Sequence, residues 1–308
     1  MKNIILKRII SVLIILFSIL IILLCNLESI KNRSKVLILW TSDVHCALDD
    51  DIIKYVNNLK NNYIKKGYRV ILLDDGDFIY DDEISKEDNT RGEKYLLLMN
   101  ELGYDIAVPG NSDLKFGMQQ FNDLKEKANF KYICCNMFYK DNFFLDPYYI
   151  MKVRGKKIAF IGYTAPWNTI KHKEIFQDED GNVYYSFLSG SDGEAAFSLL
   201  QNEINEVRNL GADYVYLFAH VGLYEDTEQD STKVLIENTS GIDICVDAHT
   251  HDDEIHLYKN EIGEDTFRIS IGCRFANIGY SLIDLKTTNI ETGMWPVDIN
   301  SDQKFPDL

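Results

Sequence analysis

The stretch KVLILWTSDVH, residues 35–45, begins as a continuous apolar run and ends in two groups that can hold a metal, Asp43 and His45. A run this short and this apolar reads as a strand buried on both faces. The same design recurs along the chain. RVILLDD (69–75), YDIAVPG (104–110), DYVYLFA (213–219) and DICVDA (243–248) are further strands. Between them lie segments with apolar residues at helical spacing: 51–67, 92–103, 116–128 and 193–211, each of the first two and the last closed by a glycine. A shorter helix is expected near 231–238. Residues 148–163 read as a hairpin turning at Gly155, and EIHLYK, TFRISIG and GYSLIDL give a β-rich end. Residues 164–192 are expected as a mobile loop and 288–308 as a loose tail. Strands alternating with helices predict an α/β sheet protein. Ligands in such sheets bind beyond the carboxyl ends of the strands.

The residues just past those strand ends carry the chemistry. Asp43 and His45 follow the first strand and Asp77 the second. Asn111 and Ser112 follow the third, within GNSDLKFG (110–117). His220 follows the fourth, and His249 and His251 the fifth. Four of the six histidines thus fall at strand ends. Each piece alone is a weak signal, since Gly-Asp and Gly-Asn also mark turns. Together, imidazoles, carboxylates and one amide suit Mn²⁺, Zn²⁺ or Fe with open coordination positions. Two such ions can share a carboxylate, polarise a phosphoryl oxygen and generate hydroxide. No C-x-x-C occurs, so a thiolate zinc site is not expected. Cys134 and Cys135 are adjacent within a strand, and Cys46, Cys245 and Cys273 lie in apolar surroundings and read as buried thiols.

The formal net charge of −16 argues against a nucleic-acid partner, which calls for a basic face. A phosphate substrate remains open if cations supply the positive charge. At the N-terminus, Lys2, Lys7 and Arg8 precede residues 9–24, sixteen residues without a charge. That length lies between a signal-peptide core and a full span. An uncleaved signal anchor (residues 1–27), a cleaved signal peptide and a lipid-modified Cys25 all export the remainder. The expectation is a single-pass membrane protein with its catalytic domain outside the cytoplasm, or a secreted one. Residues 28–35 read as a short stalk. Oligomeric state is not legible.

WTSDVHC, LDDGDFIYDD, GYDIAVPGNSDLKFG, LFAHVG and GIDICVDAHTH resemble the ordered blocks of the calcineurin-like metallophosphoesterases. They are most similar to the branch of 5'-nucleotidases, UDP-sugar hydrolases and 2',3'-cyclic phosphodiesterases. The resemblance spans residues 36 to about 287 and implies a four-layer α/β/β/α sandwich of two mixed sheets. It also implies two divalent metal ions. One would be held by Asp43, His45, Asp77 and His251, the other by Asp77, Asn111, His220 and His249. A metal-bound hydroxide would then attack the phosphorus of a nucleotide or other small phosphate ester.

In that branch the third block usually reads G-N-H-[DE]-F-D, and its His and last Asp form a dyad that handles the leaving group. Ser112 and Lys115 stand at those positions here. Lys115 could compensate with charge, Ser112 could bind a phosphate oxygen, and His172 in the 164–192 loop could substitute. A catalytically weakened metal-binding surface protein, or a different ester hydrolase on the same scaffold, remain alternatives. The branch's base-binding C-terminal domain has no counterpart in the sequence. Trp167, Tyr184 and Tyr185 are then either base-stacking groups or local packing.

Overall fold

A computed structural model of the chain describes residues 10–11, 13–20, 29–164, 176–177, 180–189, 192–223, 231–299, 305–306 and 308. Two six-stranded mixed sheets form its centre. In the first, β1 (Lys35–Thr41), β2 (Arg69–Asp74), β3 (Ile106–Ala107) and β4 (Lys131–Tyr132) run parallel. β14 (Asn277–Asp284) runs antiparallel beside β1, and β15 (Ile290–Pro296) antiparallel beside β14. In the second, β8 (Lys156–Thr164), β10 (Tyr214–His220), β11 (Ile244–Asp247) and β13 (Asp265–Ser270) are parallel. The antiparallel strands β7 (Tyr148–Val153) and β12 (Ile255–Lys259) edge it. A small third sheet joins β5 (Met137–Tyr139), β6 (Asn142–Phe143) and β9 (Tyr185–Phe187).

The pleat of β1 shows why the run 35–41 is apolar throughout. Val36, Ile38 and Trp40 face the second sheet and pack with Phe160, Tyr216, Phe218 and Val246. Leu37 and Leu39 face outward and pack under α1 (Asp50–Lys65), α2 (Glu93–Leu102) and α3 (Met118–Lys127). On the far side, Ile161, Val215 and Leu217 meet α4 (Glu194–Asn209) and α5 (Thr232–Glu237). Helices, sheet, sheet, helices: four layers result, with the inner strands β1, β2, β10 and β11 buried on both faces. Within the first sheet, the Trp40 indole lies across its partner position Gly279 on the neighbouring strand β14. A Cβ at Gly279 would stand 2.0 Å from the indole, so only glycine fits opposite that ring.

Two expectations need correction. The tail is not loose from residue 288, because β15 pairs with β14 over seven positions and Trp295 stacks on Tyr280 at 4.2 Å. Residues 29–35 lie against the body instead of standing off as a stalk: Asn32 is buried and donates to the Lys66 carbonyl at 3.1 Å. Of the 164–192 loop, residues 165–175, with Trp167 and His172, lie outside the described residues. Tyr185, in β9, packs on Tyr139 at 4.9 Å and Phe144 at 5.2 Å. Most of the expected anchor also lies outside the described residues. Residues 13–20 are helical, and among the described residues no helix is long and apolar enough to cross a membrane. Cys46, Cys134, Cys135, Cys245 and Cys273 are free thiols, all but Cys273 buried.

Candidate metal centre

The carboxyl ends of β1, β2, β3, β10 and β11 converge at one pole of the sandwich, where the two sheets meet. Backbone pairing continues past the strands there: Asp43 N–H donates to the Gly76 carbonyl (2.9 Å), His45 to Asp77 (2.8 Å) and Cys46 to Phe78 (3.0 Å). To turn their side chains inward, Asp43, His45, Asp77, His249 and His251 adopt φ between 47° and 84°. Non-glycine residues hold such conformations only where surrounding structure enforces them, and such sites are concentrated where function requires them. Close approach has the same effect at Gly110, where a Cβ would stand 2.2 Å from the Asp77 carboxylate.

The structure brings together all seven residues singled out at the strand ends. Asp43, His45 and His251 form one group, and Asp77, His220 and His249 a second, with ligand atoms in each within 4.8 Å of one another. Asp77 lies between them, its Oδ2 3.7 Å from His45 Nε2 and 3.4 Å from His220 Nε2. Asn111 Oδ1 is 3.3 Å from His220 Nε2. His251 Nε2 is 3.1 Å from His45 Nε2 and 3.5 Å from the Asp43 carboxylate.

The hydrogen bonds behind the rings decide what belongs at the centre. His220 Nδ1 donates to the Asp75 carbonyl (2.7 Å) and His45 Nδ1 to the Tyr80 carbonyl (3.0 Å). A neutral ring that donates from Nδ1 turns the Nε2 lone pair inward. Lone pairs of imidazole, carboxylate and amide oxygen then point at one another. That arrangement is repulsive unless cations lie between them, and backbone carbonyls holding the far nitrogen are the usual support for a metal-bound imidazole. The donor set fits two divalent ions.

Protons compete for the same positions. Burial disfavours a charged His220, but the Asp77 and Asp43 carboxylates outweigh it and hold its pKa above the ordinary range. Burial likewise opposes ionisation of Asp77, but His220, His45 and His249 lower its pKa. Burial and the charge of His220 push His249 down to about 4, leaving it neutral and ready to ligate. Because a cation must displace the His220 proton, affinity falls as pH drops below that raised pKa.

Asp113 is a structural support that the sequence reading missed. Its buried carboxylate accepts four backbone N–H bonds, from Asp77 and Gly110 at 2.8 Å and from Phe78 and Ile79 at 3.0 Å. It thereby ties the loop after β2 to the loop after β3. Burial and the neighbouring Asp77 charge push its pKa up to about 6. The bond it makes to the amide three residues back is a local turn signal that was available in GNSD. The loop holding His249 and His251 rests on a second missed group. Arg268, fully buried, pairs with Asp247 at 2.6 Å, and Asp247 accepts the Gly222 and Ala248 amides.

Ser112 is buried, and its amide donates to Asp77 Oδ1 at 2.6 Å, while Asn111 Nδ2 lies 3.4 Å from its hydroxyl. Lys115 is turned to Asp82 (3.4 Å) and lies over the Tyr80 ring at 4.7 Å, so its charge is shared with the loop after β2. His256 pairs with Glu254 on the exposed edge strand β12.

Comparison with known proteins gives the same assignment. The model of the calcineurin-like phosphoesterase family matches residues 36–253. A snake venom 5'-nucleotidase of Gloydius brevicauda is 28% identical over 168 residues, covering 52% of this chain and 25% of its own. The 5'-nucleotidase of Bos taurus is 25% identical over 244 residues, covering 70% and 38%. The chain therefore spans between a quarter and two fifths of these relatives. The crystal structure of a 5'-nucleotidase precursor from Thermus thermophilus shares the fold, with a TM-score of 0.66 at 17% identity over 85% of this chain and 54% of that one. With its strand-end ligands gathered at one pole and more than half its length matched by the family model, the chain belongs to the calcineurin-like phosphoesterases, the metal-dependent hydrolases of phosphoric esters.

Proposed function

We propose that the chain hydrolyses nucleotides or related small phosphate esters, using two divalent cations seated between Asp43, His45 and His251 on one side and Asn111, His220 and His249 on the other, with Asp77 shared. The position of Asp77 Oδ2, within 3.7 Å of a ring from each group, carries this reading. When bound, the cations supply positive charge for phosphoryl oxygens and acidify the attacking water. The chain's own groups do the rest. Backbone carbonyls of Asp75 and Tyr80 fix the two imidazoles, so no reorientation is needed as charge develops. Asn111 sits at the edge of the second group, beside Ser112, where its amide can orient a phosphoryl oxygen.

Ser112 cannot protonate a leaving group at neutral pH, and such assistance is worth about 10²–10⁴-fold. Esters with poor leaving groups should therefore turn over slowly. The full chain with Mn²⁺ should cleave bis-p-nitrophenyl phosphate readily and a nucleoside monophosphate weakly. Ser112→His should raise the second rate by roughly tenfold or more and the first far less. Absence of cation-dependent turnover on both substrates, in both proteins, would leave the weakened metal-binding protein as the better reading.

The same reading includes export. Lys2, Lys7 and Arg8 before sixteen uncharged residues favour a membrane anchor, with the phosphoesterase body on the far side.

A further inference from the structure

We propose that the pole opposite the metal centre is a docking face for an anionic lipid bilayer, which holds the body flat on the membrane with its metal site pointing away. The proposal rests on the anchor reading above for its geometry, and on separate observations for its chemistry.

The first observation is how early the chain is fixed. Ser29 packs on Gly67 so closely that a Cβ there would stand 2.4 Å from the Ser29 carbonyl oxygen. Asn32 is buried against the Lys66 carbonyl. The Arg154 guanidinium, at the β7–β8 turn, donates to the carbonyls of Arg33, Lys35 (3.2 Å) and Gly67 (3.1 Å). Leu285 N–H donates to the Ser34 carbonyl at 2.9 Å. Only residues 25–28 separate the uncharged run 9–24 from this docked segment. At no more than about 3.5 Å per residue, that link reaches roughly 15–20 Å. A body attached through it cannot stand clear of the headgroups.

The second observation is charge. The chain is strongly acidic, yet the amino ends of β1, β2 and β8 gather Arg33, Lys65, Arg69, Lys152, Arg154 and Lys286. All six are exposed. The Arg154 guanidinium reaches the backbone of Arg33 and of Gly67, two residues before Arg69, and burial, then the charges of Arg33 and Arg69, depress its pKa. Of the six, Arg69 has Asp105 at 3.7 Å and Lys286 has Asp284 beside it, while on the same pole Asp243 is taken up by Arg208 at 2.8 Å. The neighbouring Lys156 is paired with Asp213 at 2.6 Å. Ile30 and Ile64, 56% and 51% exposed, flank the Ser29–Gly67 contact as apolar side chains able to enter the interface. Basic groups around a few exposed aliphatic residues, on the face where an apolar segment arrives, match an anionic bilayer surface.

Each basic group at such a surface contributes roughly fivefold in affinity at low salt. The test is amide hydrogen exchange of the full chain in nanodiscs of phosphatidylcholine alone and of phosphatidylcholine with phosphatidylglycerol. Incorporation into either disc reads the anchor; protection reads the docking. Exchange in 29–35, 64–69 and 152–156 should slow about tenfold on the anionic discs only. High salt, or the triple variant Lys65→Glu, Lys152→Glu, Lys286→Glu, should abolish that protection. Incorporation without anionic-specific protection overturns the docking face and leaves the anchor standing. If the chain does not enter discs but co-floats with phosphatidylglycerol vesicles at low salt, the face binds lipid and only the anchor fails. Neither incorporation nor co-flotation overturns both.

Discussion

Asp113→Ala should lower the stability of the chain by about 4 kcal/mol, with the midpoint of urea unfolding falling accordingly. The carboxylate serves four buried amides, of Asp77, Phe78, Ile79 and Gly110. A buried donor left without a partner costs roughly 1–3 kcal/mol, and water entering the vacated space recovers part of that. Four donors at the lower bound already exceed what most substitutions do. The loop after β2 carries Asp77, so bound metal should be lost alongside stability. Asp113→Asn keeps one acceptor oxygen but sets an NH₂ against the other amides, and should fall between wild type and alanine. An unchanged midpoint in the alanine variant would show that the four bonds do not hold the loop.

The second large effect lies under the other sheet. Arg268→Met removes a buried guanidinium and strands the Asp247 carboxylate, which is fully enclosed. Breaking a buried pair from one side costs about 3–5 kcal/mol, because the remaining charge has lost its partner. Asp252, 3.4 Å from Arg268 and bonded to the Thr250 hydroxyl at 2.6 Å, loses its tether as well. The His249–His251 segment should then loosen. Thermal unfolding of Arg268→Met and of Arg268→Met/Asp247→Asn separates the causes. The asparagine still accepts the Gly222 and Ala248 amides without a charge, so the double variant should regain part of the loss. No recovery would mean that the stranded charge is not the source.

The strand ends were readable because β1, β2, β10 and β11 are buried on both faces and so stand out as unbroken apolar runs that stop abruptly at Asp, Gly or His. Other parts left weaker traces. β15 is a partly exposed edge strand interrupted by Gly293, and its pairing comes from β14, so nothing in 290–296 announces it. β5, β6 and β9 are two or three residues long, too short for a period to show. On β13, Ile269 faces the core between the sheets as its hydrophobicity predicts, but Phe267 on the same face is 41% exposed while Arg268 on the opposite face is fully buried. The hydrophobic pattern orients that strand correctly and still hides the buried arginine. Asp113 escaped notice because three of its four partners, the amides of Asp77, Phe78 and Ile79, are remote in sequence, and its one local signal is the turn bond to Gly110. The candidate ligands were legible as residue types at strand ends. Their grouping about Asp77 required the two sheets to be placed face to face.

The central claim is that one carboxylate lies between two cations. The direct measurement is a calorimetric titration of the chelator-stripped full chain with Mn²⁺, followed by electron paramagnetic resonance of the loaded protein. Two ions per chain should bind, with net proton release as His220 is deprotonated, and the spectrum should show a coupled pair about 3.5–4 Å apart. Asp77→Ala should abolish the coupling. Binding of no ion, or of two ions whose spectra are independent of each other and unaffected by Asp77→Ala, would contradict the account.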